Sequence, residues 1–170
     1  MSETEFIAVT ARELVGGWQY SSWDITYDDG RVTHPFGSDA AGFILYTADG
    51  CMSANIMAGG RPGFAAGNPR RASDAERAHA FDGYFSYAGR WRLEGGQVLH
   101  DVTVALNPAF VGARQWRDPV LKRNVDGTLT LSLSAAESLP VGRRVHRILW
   151  TRAVATPIST EQSIVDDQKR

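Results

Sequence analysis

Glycine turns dominate the layout of this chain. Asp28-Asp29-Gly30, Asp49-Gly50, Gly95-Gly96 and Asp126-Gly127 each sit between two runs that read as strands. Asp-Gly and Gly-Gly supply the positive φ angles that a tight hairpin requires. Strand-like runs fall at 18–27, 42–48, 51–57, 84–93, 97–106, 113–123, 128–134 and 143–153, with little helical period between them. Such a meander leaves two unpaired edges unless it closes on itself. The expectation is an all-β domain: an eight-stranded antiparallel up-and-down barrel, with one or two short helices covering a mouth.

The helices are signalled by two capping boxes, Thr10-Ala11-Arg12-Glu13 and Ser73-Asp74-Ala75-Glu76. The first predicts one helical turn ending at Gly16-Gly17, and the second a short helix over 73–82. Between the third strand-like run and that helix lies a Gly-, Pro-, Ala- and Arg-rich stretch over 58–72. Structureless segments of that length are often functional lids, so 58–82 is expected to gate the mouth. Residues 1–9 read as a flexible leader, 10–155 as the barrel and 156–170 as a polar tail.

At 170 residues the chain is long enough to bury a core as one domain. A formal charge of -1 gives no ground for nucleic acid or an anionic membrane as partner. Cys51 is the only cysteine, which excludes an internal disulfide and a Cys-x-x-Cys metal site and fits a reducing compartment. The acidic start Met1-Ser2-Glu3-Thr4-Glu5 does not read as a secretory signal, and no apolar run is long enough to span a bilayer. The expected location is therefore the cytoplasm. Where such barrels associate, a symmetric homodimer is the commonest outcome.

Alternation predicts which faces point inward. Phe85, Tyr87, Gly89, Trp91 and Leu93 form the apolar set of one run; Val98, His100, Val102, Val104 and Leu106 form that of the next. Leu129, Leu131 and Leu133 share a face. Ser53, Asn55 and Met57 share one with Cys51, against Met52, Ala54 and Ile56. The runs 18–27, 113–123 and 143–153 mix both characters and are not oriented by pattern. A barrel of this size either fills with side chains or holds one small ligand. Aromatic walls with a few converging polar groups are the usual make-up of a ligand site.

Several segments carry a resemblance. Gly16-Gly17-Trp18 looks like the G-x-W signature of lipocalins. His34-Pro35-Phe36-Gly37, the run from Gly42 through Tyr46-Thr47-Ala48-Asp49-Gly50 to Met52-Ser53-Ala54, Tyr84 to Gly89, and His100 to Gly112 resemble the bacterial and fungal lipocalin-like domain family. Together they span most of 14–153. At Cys51 the chain departs from the polar residue expected there. The resemblance implies a lipocalin-like β-barrel. Relatives of this type include carriers of apolar molecules and cofactor-free enzymes that cyclise, isomerise or dehydrate natural-product intermediates, and the fold does not decide between them.

Within that frame His100 is the candidate for proton transfer, since imidazole titrates near neutral pH. The bland reading is a structural histidine tied to a neighbour. Tyr87 could donate to a carbonyl or enolate oxygen, or serve as core aromatic mass with its hydroxyl satisfied. The expected substrate-binding wall comprises Trp18, Tyr46, Ser53, Asn55, Met57, Phe85, Trp91, Val102 and Trp116. His34 and His79 read as loop or solvated residues, and His146 as exterior. The four histidines lack i,i+2 or i,i+4 pairing, which argues against a metal site. No P-loop, Gly-x-Gly-x-x-Gly or Gly-x-Ser-x-Gly motif is present, so no nucleotide cofactor or serine-hydrolase chemistry is expected. The sequence thus leads to a barrel binding a small, largely apolar, aromatic or polyketide-like molecule without a cofactor. It is either a cofactor-free isomerase, cyclase or lyase, or a non-catalytic carrier. Asp101 is expected to pair with arginines on the outer face.

Overall fold

The computed structural model describes residues 4–154; the expected polar tail lies outside them. Ten strands run in chain order: β1 (Glu5–Ile7), β2 (Gly16–Tyr27), β3 (Val32–Thr33), β4 (Ala41–Tyr46), β5 (Cys51–Met57), β6 (Tyr84–Glu94), β7 (Gln97–Ala105), β8 (Arg114–Arg123), β9 (Leu129–Ser138) and β10 (Arg143–Arg152). Eight of them close into a ring, β8-β7-β6-β5-β4-β2-β10-β9 and back to β8, every ring pairing antiparallel. The all-β, lipocalin-like barrel expected from the turns is the observed fold. Gly30, Gly50, Gly95, Gly96 and Gly127 all adopt positive φ, the conformation those turns need.

Within the stretch expected as a leader, the described residues include a short strand. Glu5–Ile7 forms β1 and pairs with Leu121–Arg123 of β8. β7 covers β8 only over Arg114–Arg117, so β1 takes up the edge that β7 leaves bare. Ile7 and Val9 then pack against the core. The helical turn α1 (Ala11–Leu14) follows, capped by Thr10, whose side chain accepts from the Glu13 N–H. Its Leu14 is fully buried beneath the barrel.

Helix α2 (Asp74–Asp82) carries the full capping box between Ser73 and Glu76. It buries none of its residues and lies against β6.

Two bulges set which residues face in. Between β6 and β7 the register shifts: Ala88 pairs with Val104 but Gly89 with Val102, leaving Thr103 extra. The shift reverses the alternation, so Ala105 packs toward the core and Val104, expected inside, is 60% exposed. Gly89 makes the bulge feasible, since a Cβ there would stand 2.0 Å from the Asp101 carbonyl oxygen. A second shift sets Leu149 of β10 against Ser22 and Trp150 against Tyr20. Trp18 and Tyr20 therefore face in before the bulge and Trp23 after it.

On β5 the inward set is Met52, Ala54 and Ile56, all buried. Ser53, Asn55 and Met57 consequently lie on the outer face, and their expected place in the binding wall is corrected. The Asn55 amide instead joins a surface network, donating to Ser53 Oγ at 2.9 Å and accepting from Ser86 Oγ at 2.8 Å and Tyr84 Oη at 3.1 Å. Asp101 also lies outside, bridged to Arg92 and, at 3.3 Å, to Arg114.

Candidate functional site

The two ends of the barrel are built differently. At one, α1 and the start of β2 meet the start of β9 and the end of β10. The Trp18 indole N–H donates to the Leu14 carbonyl at 2.9 Å. The Arg152 guanidinium lies 3.9 Å above the Trp18 ring and donates to the Val15 carbonyl at 2.7 Å, and also to that of Glu13. Leu121 and Leu131 face each other across the register and are buried. This end is filled.

Toward the other end a cavity of about 530 Å³ opens. Its walls include Ile44, Ala54, Ile56, Leu133, Ile148 and Trp150, with Trp23, Phe85, Tyr87 and Phe110 as aromatic faces. Its size and apolar walls are those of small-molecule sites, which run to roughly 300–1,000 Å³. Trp23 packs at 5.4 Å from Phe85 and 5.6 Å from Phe36, and Phe85 at 5.8 Å from Phe110. Phe110 belongs to the 107–112 connection, not to 58–82, and no residue of the expected lid segment lines the cavity.

The buried polar centre is Tyr46-His100-Tyr87. His100 is 0% exposed, with Nε2 at 2.8 Å from Tyr46 Oη and Nδ1 at 2.9 Å from Tyr87 Oη. Burial, helped by the nearby Arg117 charge, lowers its pKa from 6.5 to about 3, so the ring is neutral and carries one N–H. Burial raises both tyrosine pKa values, Tyr46 the more strongly, and both keep their protons.

Three protons must therefore be shared among three groups, and the surroundings assign them. Tyr46 lies in the core with no other hydrogen-bond partner among the described residues, so its O–H donates to Nε2. Nδ1–H then donates to Tyr87 Oη. Arg117, a pure donor, also approaches that oxygen and opposes the effect of burial on it. The Tyr87 proton is left free, and Tyr87 lines the cavity. The triad thus presents one hydroxyl donor to whatever the cavity holds.

The structure sorts the remaining expected residues. Tyr87 and Phe85 line the cavity. Trp116 touches it only at the rim: it is 37% exposed, and its register partner is Leu99, on the face opposite to His100. Trp18, Tyr46, Trp91, Val102 and His100 are buried but lie outside the cavity wall. Trp91 donates to the Thr47 carbonyl at 3.0 Å and packs 4.8 Å from Tyr46. His100 reaches the cavity only through Tyr87.

Residues not anticipated complete the mouth. His146, expected outside, lines the cavity with Arg144, Glu137, Gln115, Arg114 and Arg117. The Trp23 N–H donates to His146 Nδ1 at 3.3 Å, which puts the ring proton on Nε2, 3.1 Å from Glu137. Burial lowers the His146 pKa, against the opposing pull of Glu137. Glu137 itself is held below the usual carboxylate range, chiefly by Arg144 at 2.8 Å. The signal for His146 was present in the spacing Arg144, His146, Ile148, Trp150, read backward from an obligate core tryptophan. Among the described residues no group of three His, Cys, Asp or Glu could hold a metal ion, and no helix is long and apolar enough to cross a membrane.

A closed antiparallel barrel, plugged at one end and hollow at the other, is the architecture of proteins that enclose small molecules. The lipocalin-like domain family matches residues 15–153, and the chain belongs to that family. A search of curated proteins finds no match.

Proposed function

We propose that this barrel binds one small, largely apolar molecule bearing an aromatic or polyketide-like ring system. The observation that supports this is the cavity of about 530 Å³ walled by Trp23, Phe85, Tyr87 and Phe110, which offers ring faces on several sides, with the charged groups gathered on β8, β9 and β10. Offset and edge-on ring packing against such walls stabilises a flat ligand by roughly 0.5–1.5 kcal/mol per ring pair beyond area burial. The Tyr87 hydroxyl fixes the ligand's orientation by donating to one of its oxygens.

A second reading is catalysis as a cofactor-free isomerase, cyclase or lyase, and the Tyr87-His100-Tyr46 relay favours it. A phenol whose oxygen accepts from an imidazole N–H is held in one orientation and can polarise a carbonyl or stabilise an enolate. In this reading Tyr87 touches the substrate and His100 is a positioning residue. A histidine with a pKa of about 3 is too weak a base to work efficiently near neutral pH. The lone Cys51 supports a reducing, cytoplasmic setting.

Titration with the fluorescent apolar arylamine phenylnaphthylamine tests the binding reading. One saturable site per chain is expected. Ala135→Phe, which pushes a ring into the cavity, should weaken binding by about tenfold or more. Absence of saturable binding, or binding indifferent to Ala135→Phe, overturns the reading.

A further inference from the structure

The cavity arginines are not equivalent. Arg144 is held by Glu137 at 2.8 Å and Arg114 by Asp101 at 3.3 Å. Arg117 has no carboxylate within salt-bridge distance among the described residues. Its guanidinium donates to the Trp116 carbonyl at 2.8 Å and to Gln115 Oε1 at 3.1 Å, both neutral acceptors. Yet Arg117 pairs in register with Val98, which is fully buried inside the barrel, and it lines the cavity. Its charge is felt by Tyr46, Tyr87, His100 and His146 alike.

A half-buried cation facing an apolar cavity without a counter-ion is costly to maintain. Two further donors share its surroundings. The Tyr87 O–H is free after the proton assignment above. In the cavity wall the Trp150 indole N–H is buried and meets no acceptor among the described residues. Donors thus outnumber acceptors around this void. Its one carboxylate, Glu137, is already engaged by Arg144 and His146.

Building on the binding reading, we infer that the natural ligand is an anion: an aromatic or polyketide-like body bearing one carboxylate, enolate or similar group. That group takes Arg117 as counter-ion and Tyr87 as hydrogen-bond donor. The guanidinium fork suits a two-oxygen anion. The charge of the ligand comes to rest beside β8, in front of the Tyr87-His100 pair.

Two probes sharing one arylamine body separate this from simple apolar binding: anilinonaphthalene sulfonate, an anion, and uncharged phenylnaphthylamine. The wild-type chain should prefer the anion, and the preference should shrink as salt rises. Arg117→Gln should lower affinity for the sulfonate by about tenfold or more while leaving the neutral probe within about twofold. Arg117→Lys keeps a charge and should restore part of the preference. Should Arg117→Gln weaken both probes together, the ratio of the two affinities in Arg117→Lys and wild type decides, and equal ratios near unity overturn the inference. Unchanged sulfonate affinity in Arg117→Gln also overturns it. Binding of the neutral probe with no anion preference sinks this inference alone, whereas binding of neither probe sinks the small-molecule reading itself.

Discussion

Arg152 and Arg117 occupy the same barrel and face opposite fates. Arg152 lies at the plugged end, stacked 3.9 Å over Trp18, with donors committed to the carbonyls of Val15 and Glu13. It ties β10 to the turn after α1 and locks the tryptophan that closes the floor. Arg117 donates to neutral acceptors as well, but both belong to its own strand, β8, so it ties no second element down, and it lines the void. The same contrast holds for the aromatic residues. Trp18 has its N–H satisfied by Leu14, whereas Trp150, in the cavity wall, has none. The buried donor that meets no acceptor among the described residues thus belongs to the cavity wall, where a bound molecule can satisfy it.

The largest expected effect breaks the plugged end. Trp18→Ala removes a fully buried indole and leaves Arg152 without its platform, so a loss of about 3–5 kcal/mol in unfolding free energy is expected. Urea denaturation measures it. The comparison requires that the Arg117 side be insensitive: folded Trp18→Ala protein should keep its ratio of affinities for the charged and neutral probes. A change in that ratio as large as the one in Arg117→Gln would show that the two ends are not separable.

Next in size is the pH dependence of the buried triad. His100 titrates near 6.5 when unfolded and near 3 when folded. Between those values the unfolded chain takes up a proton that the folded chain refuses. Its contribution is therefore fully present above about pH 6.5 and is lost as pH falls toward 3, at about 1.4 kcal/mol per pH unit. Urea midpoints from pH 7 to pH 4 should fall more steeply for wild type than for His100→Gln. His146, also lowered by burial, titrates in both proteins and cancels in the difference. Parallel lines would mean that His100 is charged in the folded state or reaches solvent.

The sequence made the barrel legible because its turns are local. Asp49-Gly50 or Gly95-Gly96 fixes a hairpin whatever the rest of the chain does, and alternation then puts Leu131 and Leu133 on one face, which the structure buries. The site was less legible because its residues depend on register. One extra residue at Thr103 turned Val104 outward. On β5 the choice between Ser53-Asn55-Met57 and Met52-Ala54-Ile56 is a choice of face, and each set holds a methionine and at least one small residue. The small apolar Ala54 belongs inside because it faces a wall of rings, which only the closed barrel reveals. Burial hides behind long-range pairing too: His100 was identified as interior, but Tyr46, from a strand more than fifty positions earlier, removes it from the cavity by taking its second nitrogen.

A smaller effect is expected at the junction of the two regions. Tyr87→Phe deletes the hydroxyl that both accepts from His100 Nδ1–H and faces the cavity. A buried donor left without its acceptor costs about 1–3 kcal/mol, so a modest loss of stability should accompany weaker sulfonate binding. Tyr46→Phe removes an equally buried hydroxyl on the other nitrogen but does not touch the cavity. The pair of variants therefore sharpens the contrast between fold and site. Comparable destabilisation is expected in both, with the sulfonate affinity falling severalfold in Tyr87→Phe and staying near wild type in Tyr46→Phe. If both lose affinity equally, the relay acts as one unit and orientation of the Tyr87 hydroxyl, not its presence, governs binding. If neither does, Arg117 holds the anion alone.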